Sequence, residues 1–163
     1  MAEPRWLSAE EERTWRSYLT ATRMLAAQLD RELQRDAGMP HAYYEILARL
    51  SEAPGRALRM SELADAAESS RSRLSHAVAR LEEAGWVRRE SCPTDRRGAF
   101  AVLTDTGFAR LREAAPGHVE GVRRHLFDQL TPEQVRELGS ISDALAQGLR
   151  PEAEGEEACP EAG

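Results

Sequence analysis

Two clusters of polar side chains in the middle of the chain have residue types that suit contact with nucleic acid. One runs from Ser70 to His76 with the sequence SRSRLSH, and the other is the tripeptide Asp95-Arg96-Arg97. An arginine can donate two parallel hydrogen bonds to the O6 and N7 acceptors of guanine, whereas serine and histidine can bond to base edges or to phosphate oxygens. The candidate DNA-contacting residues are Ser70, Arg71, Ser72, Arg73, Ser75, His76, Asp95, Arg96 and Arg97.

The second cluster places an acidic residue within an otherwise basic loop. The negative potential of a minor groove favours a guanidinium group, so Arg97 is expected to enter that groove. An acid beside DNA repels phosphate unless it holds an arginine through a bidentate pair, and we interpret Asp95 in this way. This cluster is the more informative of the two, because any solvated amphipathic helix would also show arginine and serine on its outer face.

The elements around the two clusters predict how they are positioned. The first cluster begins a helix that Ser69 or Ser70 caps, that Gly85 ends, and whose inner face carries Leu74, Ala77, Val78 and Leu81. A shorter helix capped by Ser61 precedes it, and two alternating strands at 86–89 and 99–103 follow, joined by CPTDRRG. This order predicts a winged helix-turn-helix, in which the second helix enters the major groove and the hairpin forms the wing.

Long amphipathic helices flank this segment on both sides. Ser8 is expected to cap the first helix, and Gly38 is expected to end it. Thr104 is predicted to cap a long helix after the hairpin, with a kink or break at Pro116-Gly117. Thr131, followed by a proline and three residues later by Gln134, predicts the start of the last helix.

The predicted fold class is mainly α with a small β-hairpin wing (α+β), a winged helix-turn-helix flanked by long N- and C-terminal dimerisation helices. One domain is expected over 8–150, with dimerisation helices at 8–37 and 105–150 and the winged helix-turn-helix at 40–104. The acidic segment 151–163 has little to bury and is expected to be disordered. The outer helices carry more apolar surface than a small winged helix can cover, which predicts a homodimer. A monomeric helical bundle with a hairpin insert is the alternative.

The composition fits a DNA-binding protein although the net charge of the chain is negative. The 163 residues carry a net charge of −6, but five glutamates lie after Arg150, and residues 69–97 contain seven arginines against four acidic residues. Attraction to phosphate depends on such local patches. No apolar run reaches the roughly 20 residues of a membrane span, and the first residues lack the apolar core of a secretion signal, so we expect a cytoplasmic protein with no membrane partner.

Residues 60–107, and above all the stretch PTDRRGAFAVLTDTG, resemble the MarR (multiple antibiotic resistance regulator) family. The flanking helices also match, so the resemblance covers about residues 8–149. It implies a homodimer joined through its terminal helices, two winged helices on a pseudo-palindromic double-stranded DNA operator, and usually repression that a ligand or an oxidant relieves. It assigns Arg97 to the minor groove, Asp95 to orienting Arg97, and residues 70–76 to major-groove and phosphate contacts.

The same resemblance implies a site for a small-molecule effector, which family members often bind as a phenolic or aromatic compound. The candidate ligand-binding residues are Trp15, Tyr18, His41 and Tyr44. An apolar cleft with a few polar groups suits such a ligand, although aromatic residues at helical spacing also occur as plain core or dimer interface. No cofactor and no metal are predicted, and a redox role for Cys92 in the wing is the weaker alternative.

Two other classes of function are alternatives to a DNA-binding repressor. A winged-helix protein–protein interaction module without DNA binding would keep the fold but have no need of the basic wing. An enzyme is not expected, because the sequence has no Ser-His-Asp spacing, Gly-rich phosphate loop, metal quartet or isolated carboxylate pair.

Overall fold

The computed structural model describes residues 4–67, 69–91 and 98–149, and within these ranges the chain is mainly helical with one small sheet. This architecture confirms the predicted fold class. The helices are α1 (Ala9–Ala37), α2 (His41–Glu52), α3 (Met60–Ala66), α4 (Arg71–Glu83), α5 (Asp105–His125) and α6 (Pro132–Leu149), and the strands are β1 (Ala57–Arg59), β2 (Val87–Ser91) and β3 (Ala99–Leu103). The chain divides after His125 into two compact units.

Helix α1 begins and ends where the sequence predicts. The Ser8 Oγ accepts a hydrogen bond from the Glu11 backbone N–H at 3.2 Å, and the Glu11 carboxylate accepts one from the Ser8 N–H at 2.7 Å. Gly38 ends the helix at φ +60°, a conformation that disfavours any residue with a Cβ. The buried residues of α1, Leu29 and Leu33, lie in its second half, where α1 packs against α5.

The core of the first unit joins α2, α3, α4 and the sheet. Its largest fully buried side chains are Met39, Leu47, Leu50, Leu63, Leu74, Val78 and Leu81. Burial of each such side chain contributes roughly 1.5–3 kcal/mol before chain entropy is subtracted. Because Leu74, Val78 and Leu81 form the buried face of α4, the predicted inner face is confirmed and the opposite face of α4 is directed to solvent.

The sheet is antiparallel, with its strands in the order β1-β3-β2. In the central strand, the fully buried Ala101 lies opposite Leu58 of β1 and Arg89 of β2. The predicted hairpin of β2 and β3 is therefore confirmed, and β1 adds a third strand to it. The third strand has only three residues, too few for an alternating pattern that would reveal its partner.

The predicted cap of α3 was wrong, and of the kink or break expected at Pro116-Gly117 the break was wrong. Ser61 does not cap α3, which begins one residue earlier, and the Glu62 carboxylate accepts the Arg59 backbone N–H at 3.1 Å. Helix α5 is not broken at Pro116 but continues to His125. The buried Leu111 and Ala114 precede the proline, and contacts of α5 with α1 and α2 offset the hydrogen bond that proline cannot donate.

Thr104 joins the sheet to α5 through several hydrogen bonds. Its Oγ accepts the Gly107 backbone N–H at 3.0 Å, which confirms the predicted helix cap. The same hydroxyl lies 2.8 Å from the Gly85 carbonyl oxygen, to which it donates, and the Thr104 N–H donates to the Trp86 oxygen at 3.0 Å. The start of α5 is thus held directly against the chain that leaves α4.

The second unit contains α6, and its start is also predicted correctly. The Gln134 N–H donates to Thr131 Oγ at 3.3 Å, and the Thr131 N–H donates to the Gln134 side chain at 2.9 Å. Helix α6 has no buried residue, and it exposes the apolar side chains of Ile141, Leu145 and Leu149. Within the described ranges, no helix is both long and apolar enough to cross a membrane.

Candidate nucleic-acid interface

The exposed face of α4 carries the first predicted cluster. Ser70 caps the helix, since its Oγ accepts the Arg73 backbone N–H at 3.3 Å. The five predicted side chains on the helix are all exposed: Arg71, Ser72, Arg73, Ser75 and His76. Because the opposite face is buried in the core, these side chains are presented as a group at the start of a firmly seated helix. Residues at this end of a recognition helix are the ones that reach base edges.

The charges on α4 are distributed unevenly. Near its end, Arg80 donates to Glu83 at 2.8 Å, so its charge is largely compensated. Near its start, Arg71 and Arg73 have no ion-pair partner among the residues that the structure describes. The backbone N–H groups of the first turn add partial positive charge there. The first turn of α4 is therefore the part of this helix best suited to a polyanion.

A concave surface separates α4 from the sheet on one flank. We call it the α4–sheet groove, and it is lined by Arg59, Met60, Ser61, Arg71, Ser75, Arg89, Gly98 and Ala99. Three arginines therefore line this groove, and only Arg71 among them is a predicted DNA-contacting residue. The other two, Arg59 and Arg89, lie on β1 and β2, and strand alternation alone does not tell which face of a small sheet turns toward a helix.

The opposite flank of α4 forms a second concavity with α2. It is lined by Tyr43, Arg73, His76, Ala77, Ala79, Arg80 and Glu83. Helix α4 therefore presents cationic side chains on both flanks, with Arg71 toward the sheet and Arg73 toward α2. This arrangement fits a helix that lies in a groove between two phosphate backbones.

The second predicted cluster falls outside the described residues. Asp95, Arg96 and Arg97 lie between the ends of β2 and β3, as does Cys92, so their predicted roles stay predictions. Only the two strands that lead into and out of this segment are described. Strand β2 reaches Ser91, two residues beyond the predicted strand, and β3 begins at Ala99.

The four predicted effector-binding residues lie in two separate places. Trp15 and Tyr18 stack with a centroid distance of 6.2 Å on an exposed stretch of α1. His41 lies near the other end of this helix, where its backbone N–H donates to Asp30 at 2.9 Å. Fifteen residues of α-helix separate Trp15 from Asp30, about 22 Å at 1.5 Å per residue. A single cleft formed by all four residues within one chain is therefore excluded.

His41 and Tyr44 instead meet His118 of α5. The ring centroid of His118 lies 5.3 Å from that of His41 and 4.3 Å from that of Tyr44. The His118 Nδ1 is buried and has no hydrogen-bond partner in the part of the chain that the structure describes. Burial, and then the neighbouring His41, lowers the pKa of His118. His118 was not among the predicted effector-binding residues, and among the described residues no three His, Cys, Asp or Glu side chains form a group that could hold a metal ion.

Protonation of His118 is expected to make the stability of the chain pH-dependent. Because its pKa is lowered on folding, the unfolded chain takes up this proton at a higher pH, so stability falls as the pH drops below about 6.5. The His118→Phe variant keeps an aromatic ring against Tyr44, and its stability should no longer fall over this pH range. Thermal denaturation of both proteins between about pH 7.5 and about pH 5.5 measures the effect. The pKa of Glu32 is also lowered, but this shift reduces the stability only below about pH 4.5, outside the pH range of the measurement. Equal slopes in the two proteins would contradict the assignment.

The fold and the α4 surface define a class of protein. A helix that is seated by one apolar face, exposes arginines at its first turn, and is followed by an antiparallel hairpin is the DNA-reading unit of winged helix-turn-helix regulators. The comparisons with known proteins agree. The chain belongs to the MarR family of transcriptional regulators, whose family model matches residues 37–98.

Several characterised relatives are similar over most of the chain. The crystal structure of Sco3205, a MarR family regulator from Streptomyces coelicolor in complex with DNA, is 60% identical, covers 96% of this chain and 97% of that chain, and has a TM-score of 0.88. AbsC from the same organism is 48% identical, covers 90% of this chain and 99% of that chain, and has a TM-score of 0.83. The regulator PecS of Dickeya dadantii is 39% identical over 65% of this chain, which spans 64% of the length of that relative.

Proposed function

We propose that the chain is a dimeric repressor that binds a pseudo-palindromic operator and leaves it when a small aromatic molecule binds. The observation that carries the DNA part of this proposal is the first turn of α4, where Arg71 and Arg73 are exposed without an ion-pair partner among the described residues. The relative Sco3205, 60% identical, has a crystal structure in complex with DNA, which supports the same assignment for this chain.

Exposed apolar side chains in both units support the dimer. In the first unit, Trp15 and Tyr18 are about half-exposed along α1 and Met24 more than half, and in the second unit Ile141 and Leu149 are more than half-exposed along α6. A soluble monomer rarely leaves so many large apolar side chains in contact with water. A two-fold partner would cover them and would place two recognition helices about one DNA turn apart.

The same dimer supports an effector site. Within one chain the Trp15–Tyr18 pair is too far from His41 and Tyr44 to share a ligand with them. In a dimer, Trp15 and Tyr18 of one copy can lie beside His41 and Tyr44 of the other copy. Apolar rings beside imidazole and phenol groups suit a phenolic or aromatic effector.

Changing Arg97 to alanine tests the proposal. If this arginine enters the minor groove as the sequence predicts, the variant should bind the promoter duplex of its own gene about tenfold more weakly than the wild type. Fluorescence anisotropy of the labelled duplex measures the change. The matched control is Arg112→Ala, which removes an exposed arginine of α5 that lines neither flank of α4. Wild-type protein that binds no duplex at any salt concentration would favour a protein–protein interaction module.

A further inference from the structure

Arg89 contacts α4 through both its side chain and its backbone. It lies on β2, two residues before the strand ends, and its Nε is 3.1 Å from Glu82 Oε2. Its Nη2 donates to the Ser75 carbonyl oxygen at 2.8 Å, and its backbone N–H donates to Glu82 Oε1 at 2.9 Å. One arginine thus connects the wing strand to two points of the recognition helix.

The two contact points lie two turns apart on the same side of α4. Ser75 and Glu82 are seven residues apart, about 10 Å along the helix, so the contacts resist both sliding and rotation of α4 against β2. The side chains of Arg89 and Glu82 are only 34% and 32% exposed, which shields the ion pair from solvent better than a fully exposed pair. In the strand ladder, Arg89 is also paired with the buried Ala101 of β3.

We propose that Arg89 is a positioning residue that fixes the recognition helix relative to the wing, so that both can engage the operator together. Its charge is compensated by Glu82, whereas Arg71 on the other wall of the α4–sheet groove has no ion-pair partner among the described residues. A paired guanidinium attracts phosphate weakly, whereas its fork of donors holds a carboxylate and a carbonyl in fixed directions. The inference rests on the proposed DNA binding and adds a residue that the sequence did not assign to it.

The Glu82→Gln variant separates positioning from simple electrostatics. Removal of an acidic group near DNA should strengthen binding if charge alone matters. If Glu82 acts by holding Arg89, its loss should weaken binding to the promoter duplex by about fivefold. The matched control is Glu83→Gln on the same helix, whose carboxylate pairs with Arg80 instead and whose loss should leave binding unchanged or tighter. Tighter binding by both variants would overturn the proposal.

Variants of Arg89 itself distinguish positioning from a direct phosphate contact. Arg89→Lys keeps the charge but loses the fork, so a positioning role predicts a loss of affinity similar to that of Arg89→Gln. In both variants the slope of log K against log salt should stay unchanged, whereas loss of a direct phosphate contact would reduce it by about one. A double-mutant cycle of Arg89→Gln with Glu82→Gln should show non-additive losses. Retention of wild-type affinity by the lysine variant would overturn the proposal.

A measurement without DNA keeps this inference distinguishable from the proposed function. Hydrogen exchange of the backbone amides in β2, which include the Arg89 N–H bound to Glu82, should accelerate in Glu82→Gln and Arg89→Gln but not in Glu83→Gln. Unchanged exchange in all three variants would refute the positioning role even if the chain binds DNA. Accelerated exchange in a chain that binds no duplex would leave the contact established and refute the proposed function instead.

Discussion

Replacing Gly107 by alanine is expected to destabilise the first unit by about 3 kcal/mol or more. A Cβ at this position would overlap the Trp86 carbonyl oxygen and lie 2.8 Å from the Trp86 carbonyl carbon and 2.9 Å from Leu103 Cδ1. The first two obstacles are backbone atoms, which cannot turn away as a flexible side chain can. Relief requires α5 to move from the sheet, and that movement breaks the hydrogen bonds of Thr104 to the chain between α4 and β2.

Two other glycines of α5 supply matched controls for this prediction. At Gly117 an added Cβ meets nothing within 4 Å, so Gly117→Ala should stabilise the helix by about 0.5–1 kcal/mol. At Gly121 an added Cβ would lie 2.7 Å from the Glu32 carboxylate, a flexible group, and an intermediate cost is expected. Urea denaturation of the three variants gives the order of their free energies of unfolding. A Gly107→Ala protein as stable as Gly117→Ala would show that α5 and the sheet do not pack as described.

Replacing Arg73 by alanine is expected to weaken operator binding about 10- to 100-fold and to reduce discrimination among sequences. Its side chain is exposed in the first turn of α4, and its backbone N–H is fixed by the Ser70 cap. A guanidinium with no ion-pair partner among the described residues can form two hydrogen bonds to a guanine without first breaking a protein contact. Anisotropy titrations against the promoter duplex and a scrambled duplex measure both effects.

The control for Arg73 is another arginine on the same helix. Arg80 is exposed but pairs with Glu83, and it lies two turns closer to the end of α4. Arg80→Ala should therefore change operator affinity by less than about threefold, because the residues that reach base edges lie near the helix start. Equal losses in the two variants would mean that α4 contributes only diffuse positive charge. Loss of affinity without loss of sequence preference in Arg73→Ala would assign Arg73 to phosphate instead of to a base.

Local signals in the sequence predicted the helices well because their causes are local. The Ser8, Ser70, Thr104 and Thr131 caps each involve residues within three or four positions, so side-chain chemistry and spacing suffice to place them. The inner face of α4 followed from helical periodicity for the same reason. The pairing of β1 with β3 joins residues more than 40 positions apart, and nothing local in Ala57–Arg59 specifies its partner.

The site was predictable where one helix determines it and unpredictable where several elements meet. Helical geometry alone places Arg71 and Arg73 on the outer face of α4. The contacts of Arg89 with α4 depend on how β2 packs against that helix, and the meeting of His118 with Tyr44 depends on how α5 crosses α2. Such contacts are set by packing over the whole unit. Residue type and spacing along the chain do not determine them.

Titration of the promoter duplex with the wild-type chain over a range of salt concentrations tests the central claim most directly. That claim is that the first turn of α4 and the wing bind duplex DNA through a cationic surface. If each copy of a dimer neutralises two phosphate charges, four in all, log K should fall with log salt at a slope of about −3.6. A slope near zero, or no binding at low salt, would contradict the account.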